Sequence, residues 1–119
     1  MEIDDLQALA SQLPGVTFDI KWGDILTCLV ANKMFCNINL KLQPIHCSIK
    51  VSDENYQSLI EKEGFNPAPY LARYNWVQLN NLNLWNQEEW EQYLCQAYQL
   101  TVVKLPKCTQ LTLKQPHLE

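Results

Sequence analysis

Apolar residues recur at helical spacing near both ends of the chain and alternate with polar residues in between. Ile3, Leu6, Ala10 and Leu13 fall on one face of a helix predicted over residues 2–13, with Asp4 and Asp5 in its first turn, where the helix dipole favours acid. Pro14-Gly15 ends it. From Thr17 to Trp22 the period drops to two. Phe18, Ile20 and Trp22 face one way; Thr17, Asp19 and Lys21 face the other. Ile25–Val30 is apolar on both sides and reads as a central strand. Ala31-Asn32-Lys33 is a hairpin turn, with Asn32 suited to the left-handed conformation. Alternation resumes over Met34–Leu40, placing Met34, Cys36, Ile38 and Leu40 inward and Phe35, Asn37 and Asn39 outward. After Pro44 it repeats over Ile45–Val51, with Ile45, Cys47, Ile49 and Val51 inward and His46, Ser48 and Lys50 outward.

Ser52 caps a predicted helix over about 53–62, which Gly64 stops. Phe65-Asn66-Pro67-Ala68-Pro69-Tyr70 reads as a stiff loop, its prolines fixing the backbone. A last strand covers 75–80, with Val77 and Leu79 inward and Trp76 and Gln78 outward. Asn86 with Glu89 forms a capping box for a helix from Gln87 to about Leu105, which buries Trp90, Leu94, Ala97, Thr101 and Leu105. Pro106 stops it. The domain is 1–107, and the tail 108–119 shows no clear pattern.

The order is α-β-β-β-β-α-β-α. Strands in a run, not alternating with helices, predict a single α+β domain: a mainly antiparallel sheet of about five strands with helices packed on one face. The other face is polar and weakly basic, carrying Thr17, Lys21, Asn37, Asn39, Lys41, His46, Ser48, Lys50, Trp76 and Gln78. Of the four tryptophans, Trp22 and Trp90 fit apolar stripes and are expected in the core. Trp76, with Phe35, is expected on the open face, where aromatics could stack on bases or anchor a protein partner; coverage by the 67–70 loop is the better reading.

Composition narrows the function. The 119 residues are 47% hydrophobic, enough for one domain to bury a core without disulfides or metal. The acidic N-terminus and the lack of a long apolar run argue against a secretory signal or a membrane span, so the expected location is the cytoplasm. Leu118-Glu119 fits a cloning scar. Five cysteines without a CxxC pair argue against both a zinc ribbon and a secreted disulfide framework. Cys28, Cys36 and Cys47 could converge on one sheet face. Three thiolates would suit a soft metal, but packing as small hydrophobes is the better reading.

Net charge is −4, which works against strong nucleic-acid binding. The acid is concentrated in the helical segments. Residues 16–50 hold Lys21, Lys33, Lys41 and Lys50 against Asp19 and Asp24, a net +2. Those lysines either contact phosphate or keep hairpins and edges soluble. With only three glycines there is no phosphate loop. GxSxG and HExxH motifs are also missing, and His46 has no acidic partner in sequence. The expectation is a protein that is not an enzyme and uses no cofactor or metal.

Several segments together resemble the MmcQ/YjbR family: Leu13-Pro14-Gly15-Val16-Thr17, Ile20-Lys21-Trp22-Gly23, Lys33-Met34-Phe35, Ser48-Ile49-Lys50-Val51, Gly64-Phe65-Asn66-Pro67-Ala68-Pro69-Tyr70-Leu71, Trp76-Val77-Gln78-Leu79 and Lys104-Leu105-Pro106-Lys107. The resemblance covers roughly residues 5–107. It implies a CyaY-like or secretion-chaperone-like α+β fold and DNA binding through a "double wing" of hairpins. The wing cations would be Lys21, Lys33, Lys41, Lys50 and Arg73; Trp22, Gly23, Pro67, Pro69, Tyr70 and Trp76 would be structural. Asp24-Ile25-Leu26 stands where the family more often has a His-Pro stretch. Two functions stay open. One is non-enzymatic binding of double-stranded DNA. The other is an acidic protein-interaction or chaperone-like adaptor using the open sheet face, as monomer or dimer, with a protein or peptide partner.

Overall fold

The computed structural model describes residues 2–69 and 71–114; Tyr70, His117 and Leu118-Glu119 lie outside the described residues. Helix α1 (Ile3–Ser11) starts at a capping box in which Glu2 and Asp5 exchange hydrogen bonds, and it buries Leu6 and Ala10. Strands β1 (Val16–Lys21), β2 (Ile25–Val30), β3 (Lys33–Asn39) and β4 (His46–Lys50) form a meander. Helix α2 (Asp53–Leu59) follows, with the Ser52 side chain accepting from Asn55 N–H. Strands β5 (Phe65–Pro67) and β6 (Trp76–Leu79), helix α3 (Gln87–Val102) and helix α4 (Lys107–Lys114) complete the chain. The capping box of α3 is present: Glu89 N–H donates to Asn86 Oδ1 at 2.9 Å, and Asn86 N–H donates to Glu89 Oε1 at 3.0 Å.

The six strands make one sheet in the order β1-β2-β3-β4-β6-β5, every pair antiparallel. One strand beyond the expected five is β5. Phe65, Asn66 and Pro67 read as loop because of the proline, yet they pair with Leu79, Gln78 and Val77. Proline is tolerated there because β5 is an edge strand, where a missing N–H costs no ladder bond. The 108–114 part of the tail also departs from expectation. It belongs to α4, whose Leu113 packs on the core. Leu113 lies over Gly15, where a Cβ would come within 2.3 Å of its side chain.

The core lies between the sheet and α3. Trp90, Leu94 and Ala97 from the helix meet Cys36, Ile38, Cys47, Ile49, Val77 and Leu79 from the strands, all buried. The Trp90 indole N–H donates to the Leu82 carbonyl at 2.9 Å, satisfying a polar atom that full burial would otherwise strand. Trp85 stacks on Tyr93 at 4.2 Å and meets Trp90 edge-on at 4.9 Å.

Two orientations differ from the alternation read in sequence, and one irregularity causes both. The β2–β3 register runs Cys28↔Cys36 and then jumps to Leu29↔Met34, leaving Phe35 as an extra residue. Such a bulge puts consecutive side chains on one side of the sheet. Phe35 is therefore fully buried, edge-on to Tyr98 of α3 at 5.9 Å, and Met34 turns to the open face. Trp22 also departs from its expected core position. It sits in the β1–β2 turn with φ 52° and is 76% exposed. The stripe it seemed to continue ends at Ile20, which is itself 51% exposed, because β1 is an edge strand.

Candidate binding groove on the open sheet face

Strand register decides which side chains share the uncovered face. Thr27 pairs with Asn37, and Asn37 with Ser48, which in turn pairs with Gln78. One step along, Ile25 pairs with Asn39 and Asn39 with His46. Directly opposed residues point to the same side, so these two rows form a polar floor across four strands. The floor lies in a groove of about 550 Å³. Its flanks are apolar: Trp22, Ile25 and Met34 toward β1–β3, and Pro69 and Leu71 from the segment after β5. Gly23, φ 84°, turns the chain beside Trp22 in a conformation that glycine adopts without strain.

The floor is rich in uncommitted hydrogen-bonding groups. Asn37 spends its amide N–H on the Met34 sulfur at 3.5 Å, and Asn39 Oδ1 accepts from Lys41 N–H at 3.1 Å. His46 Nδ1 donates to the Pro44 carbonyl at 2.8 Å, which leaves Nε2 of the neutral ring as an acceptor. The Gln78 amide has no side-chain partner among the described residues. No Lys, Arg, Asp or Glu is among the described lining residues.

The five expected cations are not gathered into the groove. Lys21 is 3.9 Å from Asp19, and Lys41 is 3.7 Å from Asp24; exposed pairs of this kind contribute little energy. Lys33 begins β3 and Lys50 ends β4, so both lie at the opposite end of the antiparallel strands from the 22–24 turn. Lys50 Nζ donates to the Tyr74 carbonyl at 3.3 Å. Burial, and then the charge of Lys104, hold its amine below the usual lysine range. Arg73 lies over the Tyr74 ring at 4.9 Å and donates to its hydroxyl at 2.9 Å. Lys50 and Arg73 thus converge on Tyr74, apart from Lys21 and Lys41. Trp76 is buried, and its backbone pairs with the loop: Ala68 N–H donates to its carbonyl at 3.0 Å.

Cys28, Cys36 and Cys47 do converge, on the covered face. Cys36 and Cys47 sulfurs are 3.5 Å apart, and all three thiols are buried. The hydrogen bond with Cys36, then burial, push the Cys28 thiol far up. At Cys36 the bond from Cys28 pulls down, while the bond with Cys47 and full burial outweigh it and raise the thiol well above its usual range. Among the described residues no group of His, Cys, Asp or Glu could hold a metal.

Reading the sequence alone missed the flanking residues Ile25, Met34 and Leu71; Pro69 reads there as a structural residue of the loop over this face. A signal existed for Met34: three successive apolar residues, Met34-Phe35-Cys36, break the alternation just after a two-residue turn, as a bulge requires.

Fold and site together define an α+β domain with one helix-covered sheet face and a groove on the other. Residues 11–100 match the YjbR family description, and the chain belongs to that family. No curated protein matches it. Among solved structures it is similar to DR2400 of Deinococcus radiodurans, a protein with a DUF419 domain. That likeness has a TM-score of 0.82 and 23% identity, covering 93% of this chain and 86% of that one. It is also similar to a protein from Pseudomonas syringae, with a TM-score of 0.69 and 19% identity, covering 85% of this chain and 99% of that one. At these identities the likeness concerns the fold alone.

Proposed function

We propose that this protein is a non-catalytic binding module whose open sheet face receives an uncharged, extended segment of a partner protein. One observation carries the reading: a groove of about 550 Å³ with apolar flanks and an amide floor, lined among the described residues without a formal charge. That volume lies in the range of ordinary ligand sites. Primary amides such as those of Asn37 and Gln78 offer both donor and acceptor, the complement of a peptide backbone. Trp22 and Pro69 suit an aromatic or proline side chain laid between them. A phosphate in this groove would leave water without meeting a cation, which is costly.

The second reading, duplex DNA binding, is supported by the family resemblance and by Lys33, Lys50 and Arg73. It places contacts at the strand ends and not in the groove. One pair of titrations separates the two. Trp22 is the exposed tryptophan, whereas Trp76, Trp85 and Trp90 are at most 4% exposed, so emission reports on the groove. Neutral peptides should shift the emission to the blue and move the Asn37 and Gln78 amide resonances, and Gln78→Leu should abolish both effects. A peptide set that leaves these signals unmoved at about millimolar concentration, the weak limit of specific binding, overturns the proposal. Saturable, salt-sensitive binding of a mixed-sequence duplex instead would install the DNA reading.

A further inference from the structure

The two edges of the sheet are built differently. The β5 edge is three residues long and ends in Pro67, which blunts it against further pairing. The β1 edge is six residues long and no described strand pairs with its outer side. Every second residue of β1 therefore directs its N–H and C=O away from the sheet. Near the end of this strand Ile20 is 51% exposed, an apolar side chain on the face that the rest of the molecule buries. Asp19 and Lys21 flank it on the opposite face.

We infer that β1 is a self-pairing edge, joining two copies of this chain antiparallel about Ile20 into one continuous sheet. The occupant follows from charge complementarity. A two-fold axis through an antiparallel pair must keep each face continuous, so the centre falls on a residue. Centring on Asp19 opposes two aspartates, which is destabilising. Centring on Phe18 sets Thr17 against Asp19 and leaves Lys21 without a counter-charge. Centring on Ile20 sets Asp19 of each copy against Lys21 of the other, and Ile20 against Ile20. That register converts the 3.9 Å contact between Asp19 and Lys21 into two directly opposed pairs between copies. It also covers the exposed isoleucine. The bland alternative, that the charges simply keep an edge solvated, does not need their alternation to be self-complementary. The open faces of both copies lie on the same side of the joined sheet, so the dimer would carry two grooves side by side; the pairing itself does not depend on what they bind.

The overlap spans few residues and so makes a small, reversible interface. Sedimentation equilibrium on the full chain, up to about 1 mM, should show a monomer–dimer equilibrium, with concentration-dependent amide shifts centred on Ile20. Asp19→Lys opposes lysines at both pairs, and Lys21→Asp opposes aspartates. Each should raise the dissociation constant at least about tenfold. Mixing the two variants restores opposite charges at both pairs, so the mixture should form a heterodimer that neither forms alone. General attraction cannot account for that result, since the parent carries −4 and a two-unit change leaves both variants negative. A wild type that remains monomeric overturns the inference, as does a dimer indifferent to these substitutions or a mixture that fails to associate. The double variant Asp19→Lys/Lys21→Asp should dimerise like the wild type, and its failure to do so counts equally against the register.

Discussion

Replacing Trp22 by glycine and Trp90 by alanine sets two tryptophans of similar sequence context against each other. Trp22 is 76% exposed and adopts φ 52°. About a quarter of its surface is covered, roughly 60 Å² of a side chain that can bury up to ~250 Å². At about 25 cal/mol per Å² this contact is worth ~1.5 kcal/mol. Glycine would lose it, but would also relieve a left-handed conformation that costs an L-residue about 1–2 kcal/mol. The added freedom of the unfolded chain gives back roughly 0.5–1 kcal/mol. The net change for Trp22→Gly is therefore a loss of about 0–1.5 kcal/mol. Trp90 is fully buried and its indole donates to the Leu82 carbonyl. Trp90→Ala leaves a cavity and an unpaired carbonyl, at a cost of about 4 kcal/mol or more. Urea unfolding, read as a shift in midpoint at constant slope, gives both numbers. Trp22→Gly should also remove the red part of the emission, since Trp76, Trp85 and Trp90 are buried. A loss above about 3 kcal/mol for Trp22→Gly would mean that Trp22 is a core residue after all, as the apolar stripe suggested.

Four further predictions concern the thiols, a helix cap and a tyrosine hydroxyl. At pH 8 a thiol reagent should modify the exposed Cys95 and Cys108 quickly and reach Cys28, Cys36 and Cys47 only through unfolding. Cys28 and Cys36 are held protonated in the folded state by raised pKa values, against an unfolded value of 9.0. Their contribution to stability is complete below pH 9.0 and is lost above it, where only the unfolded chain ionises. The expected fall is about 1.4 kcal/mol per pH unit for each such thiol, measured by urea melts from pH 8 to 10.5 and flattened in a Cys28→Ala/Cys36→Ala variant. Asn86→Ala removes the acceptor for Glu89 N–H and should cost about 1 kcal/mol in the same assay. Tyr98→Phe removes the hydroxyl that donates to the Pro14 carbonyl at 2.5 Å, tying α3 to the turn after α1, and should cost about 0.5–1.5 kcal/mol.

Much of this architecture is local in origin and so was readable. The Asn86–Glu89 box, the Ser52 cap and the Ala31-Asn32 turn each involve residues within three positions of one another. Their stereochemistry is a property of the segment. The period-two pattern over 36–39 and 46–50 needed only the pleat of a strand to assign an inner and an outer face, and the burial of Cys36, Ile38, Cys47 and Ile49 agrees. The polar floor of the groove, Asn37, Asn39, His46, Ser48 and Gln78, was foreseen for the same reason.

What the chain could not announce depends on partners distant in sequence. Phe35 is inside and Met34 outside because a bulge against Leu29 inverts the alternation, and the gain that fixes the bulge is the contact of Phe35 with Tyr98, far along the chain. Trp22 and Ile20 carry apolar patterning, but patterning cannot say that no described strand lies on the outer side of β1. That depends on strand order, a global property. The lysines were countable, yet whether they form one surface depended on which strand ends lie together, and the fold puts Lys21 and Lys41 at one end and Lys33 and Lys50 at the other. Sequence by itself determined most of the elements and, away from the bulge, the faces of the sheet, because periodicity and capping act over a few residues. Tertiary structure alone decided the groove, the exposed edge and the grouping of charge, because each is a relation between strands that the chain brings together only on folding.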